Sequence, residues 1–240
     1  MVRAAAGLDG AGVAADANGH VYVLWHAGRP GTTDEGERRV WVTASSDDGR
    51  TFAGEIPASD EVTGACGCCG VRALADRQGV LYMLYRSARE VMHRDTYLLI
   101  SRDKAKTFSS QKLQDWHVGA CPMSTFSLST SAAGIVAAWE TAGQVQWMRI
   151  DPTTSRPSMV TAAPGSAGSR KHPAIAANAR GETLLAWTEG TGWNKGGAVA
   201  WQLFDANGKA TSEQGRLPGV PTWGLVAIAA SADEGFTIVY

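Results

Sequence analysis

The sequence predicts an all-β fold arranged as a β-propeller, and three observations carry that prediction. A short apolar strand, a turn with Gly or a small polar residue, and a second apolar strand ending in an aromatic recur five times. The copies read AGVAADANGHVYVLWHAG, VRALADRQGVLYMLYRSA, FSLSTSAAGIVAAWETA, PAIAANARGETLLAWTEG and LVAIAASADEGFTIVY. Their closing aromatics are Trp25, Tyr85, Trp139, Trp187 and Tyr240, spaced 60, 54, 48 and 53 residues apart, a period that suits radial four-stranded blades. Helical periodicity is absent throughout.

Each quoted phrase is the expected inner hairpin of a blade, and the outer strands follow as RRVWVTAS, TYLLIS, VQWMRI and AVAWQLF. Four whole repeats and a final inner hairpin are visible in one expected domain spanning residues 1–240. Residues 1–11 are too few to supply two outer strands for the last blade. The expectation is a chain incomplete at its N-terminus, possessing an open blade edge through which it self-associates, or a ring closed by another route.

Composition agrees with this class. The 28 glycines and nine tryptophans suit many short strands with tight turns, and 44% apolar residues suffice for a core. A formal net charge of −1 offers no reason to expect nucleic acid as a partner. No apolar run approaches the roughly 20 residues of a membrane span. The first residues, MVRAAAGLDG, lack the apolar core of a signal peptide.

The stretch SSDDGRTF contains Ser45, Asp47, Gly49, Thr51 and Phe52 in the spacing of an Asp-box. Asp47 is expected to accept hydrogen bonds from its own turn, Gly49 to permit a positive φ, and Phe52 to plug the space between strands. SRDKAKTF is a second copy, with Ala105 in the glycine position. On these motifs the chain resembles the sialidase-like (BNR/Asp-box) β-propeller superfamily. Its CGCC, DWHVGACPM and WTEGTGWNKGGAVAWQLFD segments are similar to those of bacterial secreted propellers with a Cys-x-Cys-Cys segment and a later Cys-Pro. The resemblance runs from about residue 12 to the end. It implies export to the periplasm or beyond the cell, and a ring of six blades.

In a propeller, the loop entering each innermost strand and the loop leaving the second strand open on one face, while Asp-box turns lie on the other. Entry segments bring Asp9, Cys66, Cys68, Cys69, Cys121, Met123, Lys171, His172 and Trp223 to that rim. Exit loops add Arg86, Arg94, Asp95, Glu140, Glu189 and Trp193. Three of the four cysteines lie within four residues, and the fourth enters a neighbouring blade. Three readings stay open for them. A disulfide would need a long-range pair, with Cys121 the natural partner, because adjacent cysteines bridge only under strain. A soft-metal site for Cu(I) or Zn would use the thiolates with Met123, His117 or His172. The third reading is inert packing.

Arg86 and Arg94 with Asp95 read either as a rim salt bridge or as binders of a ligand carboxylate. Lys171, His172, Glu189, Trp193 and Trp223 are further ligand-binding candidates, a tryptophan being able to stack on a sugar face. The rim carboxylates Asp9, Asp95, Glu140 and Glu189 are the candidates for catalysis, which in a retaining glycosidase needs two of them about 5–5.5 Å apart. The resemblance implies an arginine triad and a Tyr–Glu pair for a sialidase. Neither the Arg-Ile-Pro segment nor an assignable Tyr–Glu pair occurs here. The leading reading is therefore a module that binds a small glycan or a metal ion on the cysteine-bearing face. The alternative is an exo-α-sialidase-like glycoside hydrolase with divergent catalytic residues.

Overall fold

The computed structural model describes residues 9–240 apart from 29, 30, 33, 193 and 232–234. The strands fall into antiparallel sheets paired in sequence order, as successive hairpins dictate. The first blade contains β1 (Asp9–Ala15), β2 (Val21–Ala27), β3 (Arg39–Ser45) and β4 (Ile56–Pro57). The second contains β5 (Val71–Ala75), β6 (Leu81–Arg86), β7 (Thr96–Ser101) and β8 (Ser109–Gln114). The third contains β9 (Phe126–Ser131), β10 (Gly134–Thr141), β11 (Gln144–Ile150) and β12 (Thr161–Ala162). The fourth contains β13 (Arg170–Ala177), β14 (Thr183–Glu189), β15 (Gly197–Phe204) and β16 (Ala210–Val220), and a final hairpin pairs β17 (Ala227–Ala230) with β18 (Phe236–Val239). The expected all-β architecture of four full blades plus an inner hairpin is thus present. Among the described residues the only helical segments are three single 3-10 turns.

The chain divides into two compact units, Met1–Met123 and Ser124–Tyr240. In the first, alternate residues of β2 and β3 (Tyr22, Leu24, Val40, Val42) pack on Leu81, Met83, Tyr85 and Leu99 of the second blade. The period of two puts one face of each strand against the neighbouring sheet. In the second unit, Val136, Ala138 and Trp147 of the third blade meet Ile175, Leu185, Trp187 and Phe204 of the fourth. Trp147 and Phe204 lie 4.6 Å apart between ring centroids. The recurring aromatics Trp25, Tyr85, Trp139 and Trp187 are all buried. Tyr240 departs from the pattern, following β18 and remaining 41% exposed.

Both Asp-boxes form complete hydrogen-bonded turns between third and fourth strands. Thr51 donates its N–H to Asp47 Oδ1 (2.8 Å) and its hydroxyl to Oδ2 (2.6 Å), while Gly49 N–H donates to Ser45 Oγ. Asp103 and Thr107 repeat the same two bonds at 2.9 and 2.6 Å, and Ala105 N–H donates to Ser101 Oγ. Gly49 has φ of +79° and Ala105 of +63°. The second box therefore keeps its shape although alanine must take a left-handed backbone there. Phe52 is half-buried. The Thr51 and Thr107 hydroxyls are the main reason both aspartates are held down at about 2.

Candidate functional site

The cysteine segment is positioned by the loops around it. Cys66 N–H donates to Arg86 O, Ala65 N–H to Glu35 O, and Ala88 N–H to Thr63 O, so this entry segment is stitched to the exit loops of both blades. Gly64, at φ +61°, permits the threading: a methyl there would meet Glu35 O and the Gly36 Cα at 2.9 Å. Gly10 of β1 approaches just as closely, since a methyl on it would lie 2.6 Å from the Gly70 Cα. These contacts force the 3-10 turn Gly67–Cys69, whose tight pitch gathers three sulfurs on one side. Cys66 Sγ lies 3.3 Å from Cys68 Sγ and donates to Cys69 Sγ at 3.4 Å, and Cys68 and Cys69 are 4.0 Å apart.

Cys68 is joined by a disulfide to Cys121, 53 residues on, with a Cα separation of 6.8 Å. The bridge ties the entry segment of the second blade to the segment after β8. That segment is held in turn by Arg94 N–H donating to Trp116 O and Val118 N–H donating to Met92 O. All four cysteines thus meet at one place, with the long-range pairing through Cys121 that the spacing suggested. Cys68 and Cys121 are exposed, while Cys66 and Cys69 are buried thiols behind them. The bond to Cys69, then burial, pushes the Cys66 thiol upward, and the Arg94 guanidinium pulls against that.

His117 does not join the sulfurs. Its Nε2 lies 2.5 Å from His93 Nδ1, the two rings meeting edge to face, and Glu90 Oε2 is 3.5 Å from His93 Nε2. Met123 has φ of +50° in the Cys-Pro segment.

The arginines differ from the sequence reading. Arg94 pairs with Glu35, not Asp95: its Nη1 donates to Glu35 Oε2 at 2.8 Å. Glu35 Oε1 also accepts from Gly67 N–H, so this carboxylate links Arg94 to the cysteine turn. Asp95 is buried and accepts from Trp116 N–H at 3.0 Å. Arg86 is fully buried, donates to Arg94 O at 2.6 Å and lies 4.8 Å over the Trp116 ring. Both residues precede β7, in the loop leaving β6, where the Arg94 N–H and the Asp95 carboxylate are each bonded to Trp116. Glu35 was missed because it lies 59 residues from Arg94 with no local motif around it.

In the second unit, Glu189 is the centre of a charged cluster. Its Oε1 accepts from Trp187 Nε1 at 2.9 Å, its Oε2 accepts from Arg216 Nε at 2.9 Å, and Arg170 Nε is 3.3 Å away. Burial works against ionisation of Glu189, but the Trp187 and Arg216 bonds prevail and hold the carboxyl below its usual range. Arg170 also stacks over Trp187, 4.9 Å from the ring centroid. Glu140 is buried at the end of β10 and accepts from Gly143 N–H in a tight two-residue turn, so the third blade has no long exit loop. His172 sits at the bulge of β13 with φ of +51°. Burial first, and then Lys171, lowers it to about 4. Lys171 is half-buried and Trp223 is 39% exposed. Trp193 and the Asp9 side chain lie outside the described residues.

Solved structures share this arrangement. A Hadza microbial sialidase aligns over 92% of this chain and 50% of its own, with a TM-score of 0.60 and 13% identity. A Fusarium graminearum α-L-arabinofuranosidase in complex with an iminosugar inhibitor aligns over 96% and 73%, with a TM-score of 0.65 and 14% identity. The chain has the sialidase-like β-propeller fold. A Penicillium chrysogenum α-L-arabinanase complexed with arabinobiose has the same fold, over 97% of this chain and 74% of its own, at TM-score 0.61 and 11% identity. The chain spans half the length of the first of these structures. No family model matches the sequence, and no curated protein matches it.

The two clusters described above stand on the loops that enter and leave the blades. The described rim carboxylates are already engaged: Asp95 with Trp116, Glu140 with Gly143, and Glu189 with Trp187 and Arg216. Arg86 and Arg94, both buried, serve as internal braces of this sialidase-like rim. No helix among the described residues is long and apolar enough to cross a membrane.

Proposed function

We propose that the chain is a glycan-binding propeller module, taking a small carbohydrate on the rim of the fourth blade. One observation carries the reading. The exit loop after Glu189 packs on the entry loop bearing Trp223: a methyl on Gly196 would run into Val220 O and lie 3.4 Å from Pro221. Trp223 is partly exposed on that entry loop, and Glu189, where the exit loop begins, stands between Arg170 and the exposed Arg216. An apolar face beside fixed charged groups is what a sugar ring with polar hydroxyls requires. The exposed Cys68–Cys121 disulfide supports an exported, oxidising location, periplasmic or extracellular.

Calorimetric titration with sialyllactose and arabinobiose tests the proposal. Binding of either, weakened about tenfold or more by Trp223→Ala, supports it; no binding, or binding indifferent to Trp223, overturns it. The fold neighbours named sialidase and arabinofuranosidase favour a second reading, a glycoside hydrolase with divergent catalytic residues. Turnover of aryl-sialoside or aryl-arabinoside reporters, lost in Glu140→Gln or Glu189→Gln, would put that reading first.

A further inference from the structure

We infer that the cysteine cluster is a redox-gated site for a thiophilic d10 cation, Zn(II) or Cu(I), closed by the Cys68–Cys121 disulfide and opened by its reduction. The donor atoms are already gathered. Cys66, Cys68 and Cys69 offer three sulfurs within 4.8 Å of one another, and the disulfide holds Cys121 at the same spot. With zinc–sulfur bonds of about 2.3 Å, the sulfurs of a tetrahedral site lie about 3.8 Å apart. The observed separations of 3.3, 3.4 and 4.0 Å bracket that value, so these three sulfurs need shifts of only tenths of an ångström. The Cys121 sulfur, once released, must withdraw from bonding distance of Cys68 by about 2 Å.

The exposures of the sulfurs divide the labour. Cys68 and Cys121 are exposed, within reach of an external dithiol, while Cys66 and Cys69 are buried inner ligands. The dithiol's thiolate attacks one sulfur of the bridge, breaking the S–S bond and forming a mixed disulfide. Its second thiol then closes the dithiol's own disulfide, leaving Cys68 and Cys121 as thiols; the reductant loses two electrons and the protein bridge gains them. On metal binding each ligating thiol releases its proton to solvent. The cation itself supplies most of the charge that the thiolates need; Arg94 also favours the Cys66 thiolate, and its partner Glu35 opposes it. Inert packing would not require three sulfurs in mutual contact, since alanine or valine fills such space without polar atoms. The inference does not rest on the glycan reading, since it concerns the first unit.

Anaerobic Co(II) titration of the full chain, before and after dithiothreitol reduction and removal of the reductant, provides the test. The disulfide form should show no thiolate-to-cobalt absorption. The reduced form should bind one equivalent with the visible bands of a tetrahedral thiolate site, displaced by Zn(II) or Cu(I). Cys121→Ser, which leaves Cys68 unable to form its bridge, should bind Co(II) without prior cleavage of that bond. Cys66→Ser/Cys69→Ser retains the bridge but lacks the inner ligands, and after reduction should bind roughly 100-fold more weakly. Circular dichroism follows the fold in every sample, and metal-dependent refolding of a reduced, unfolded chain also supports the site. A reduced chain that takes up no Co(II), folded or not, overturns the inference. So does equal binding by the disulfide form or by the double variant.

Discussion

Arg94 donates to Glu35 across 2.8 Å, bridging 59 positions of sequence and joining the exit loops of two neighbouring blades. Arg94 is 2% exposed, so its charge depends on that one carboxylate. Glu35→Gln should cost about 2 kcal/mol, the range for a lost hydrogen bond to a buried charged group. Urea denaturation should show a lower midpoint at unchanged slope. A midpoint unchanged in Glu35→Gln but lowered in Asp95→Asn would restore the Arg94–Asp95 pairing.

The two Asp-boxes predict an acid-dependent loss of stability. Asp47 and Asp103 are lowered from 3.8 to about 2 when folded, so they favour the folded state above the unfolded value, and that contribution is lost as pH falls through about 2. The stability gap between the wild type and Asp47→Asn/Asp103→Asn should be constant above pH 4 and narrow below it. A gap independent of pH would mean that ionisation is not what the threonine bonds reward.

Glycine and alanine at equivalent box positions should not be interchangeable. Gly49→Ala imposes a left-handed alanine at a cost of about 1 kcal/mol, because a methyl there would meet only ordinary contacts at 3.8 and 3.9 Å. Ala105→Gly relieves the same strain but gives up a buried methyl worth about 0.8 kcal/mol and loosens the unfolded chain. It should change stability by less than about 0.5 kcal/mol. Equal and opposite effects in thermal denaturation would show that the Ala105 methyl contributes nothing to the core.

His172 makes the second unit sensitive to mild acid. Its folded value is lowered from 6.5 to about 4, so the unfolded chain binds the extra proton between those limits and stability falls as pH drops from 6.5 towards 4. His172→Gln should flatten that part of the stability profile. A profile as steep in the variant as in the wild type would assign the acid sensitivity elsewhere.

Much of the architecture was legible in the chain because it rests on local periodicity. Strand alternation, closing aromatics and turn residues repeat every 50 residues or so, and each blade's hairpins form from neighbouring sequence. Even the meeting of Cys66, Cys68, Cys69 and Cys121 followed from blade geometry, since entry segments of adjacent blades share one rim. What only the tertiary structure decided was which side chains pair there. Arg94 stands beside Asp95 in sequence, yet in the loop before β7 Asp95 is taken by Trp116. The close approach at Gly64 sets Glu35 against this segment, where it accepts from Arg94. The same packing chose Cys68 as the bridged cysteine and left Cys66 and Cys69 as buried thiols. Pairings across 53 and 59 residues depend on how loops settle against one another, and nothing in a local motif records that.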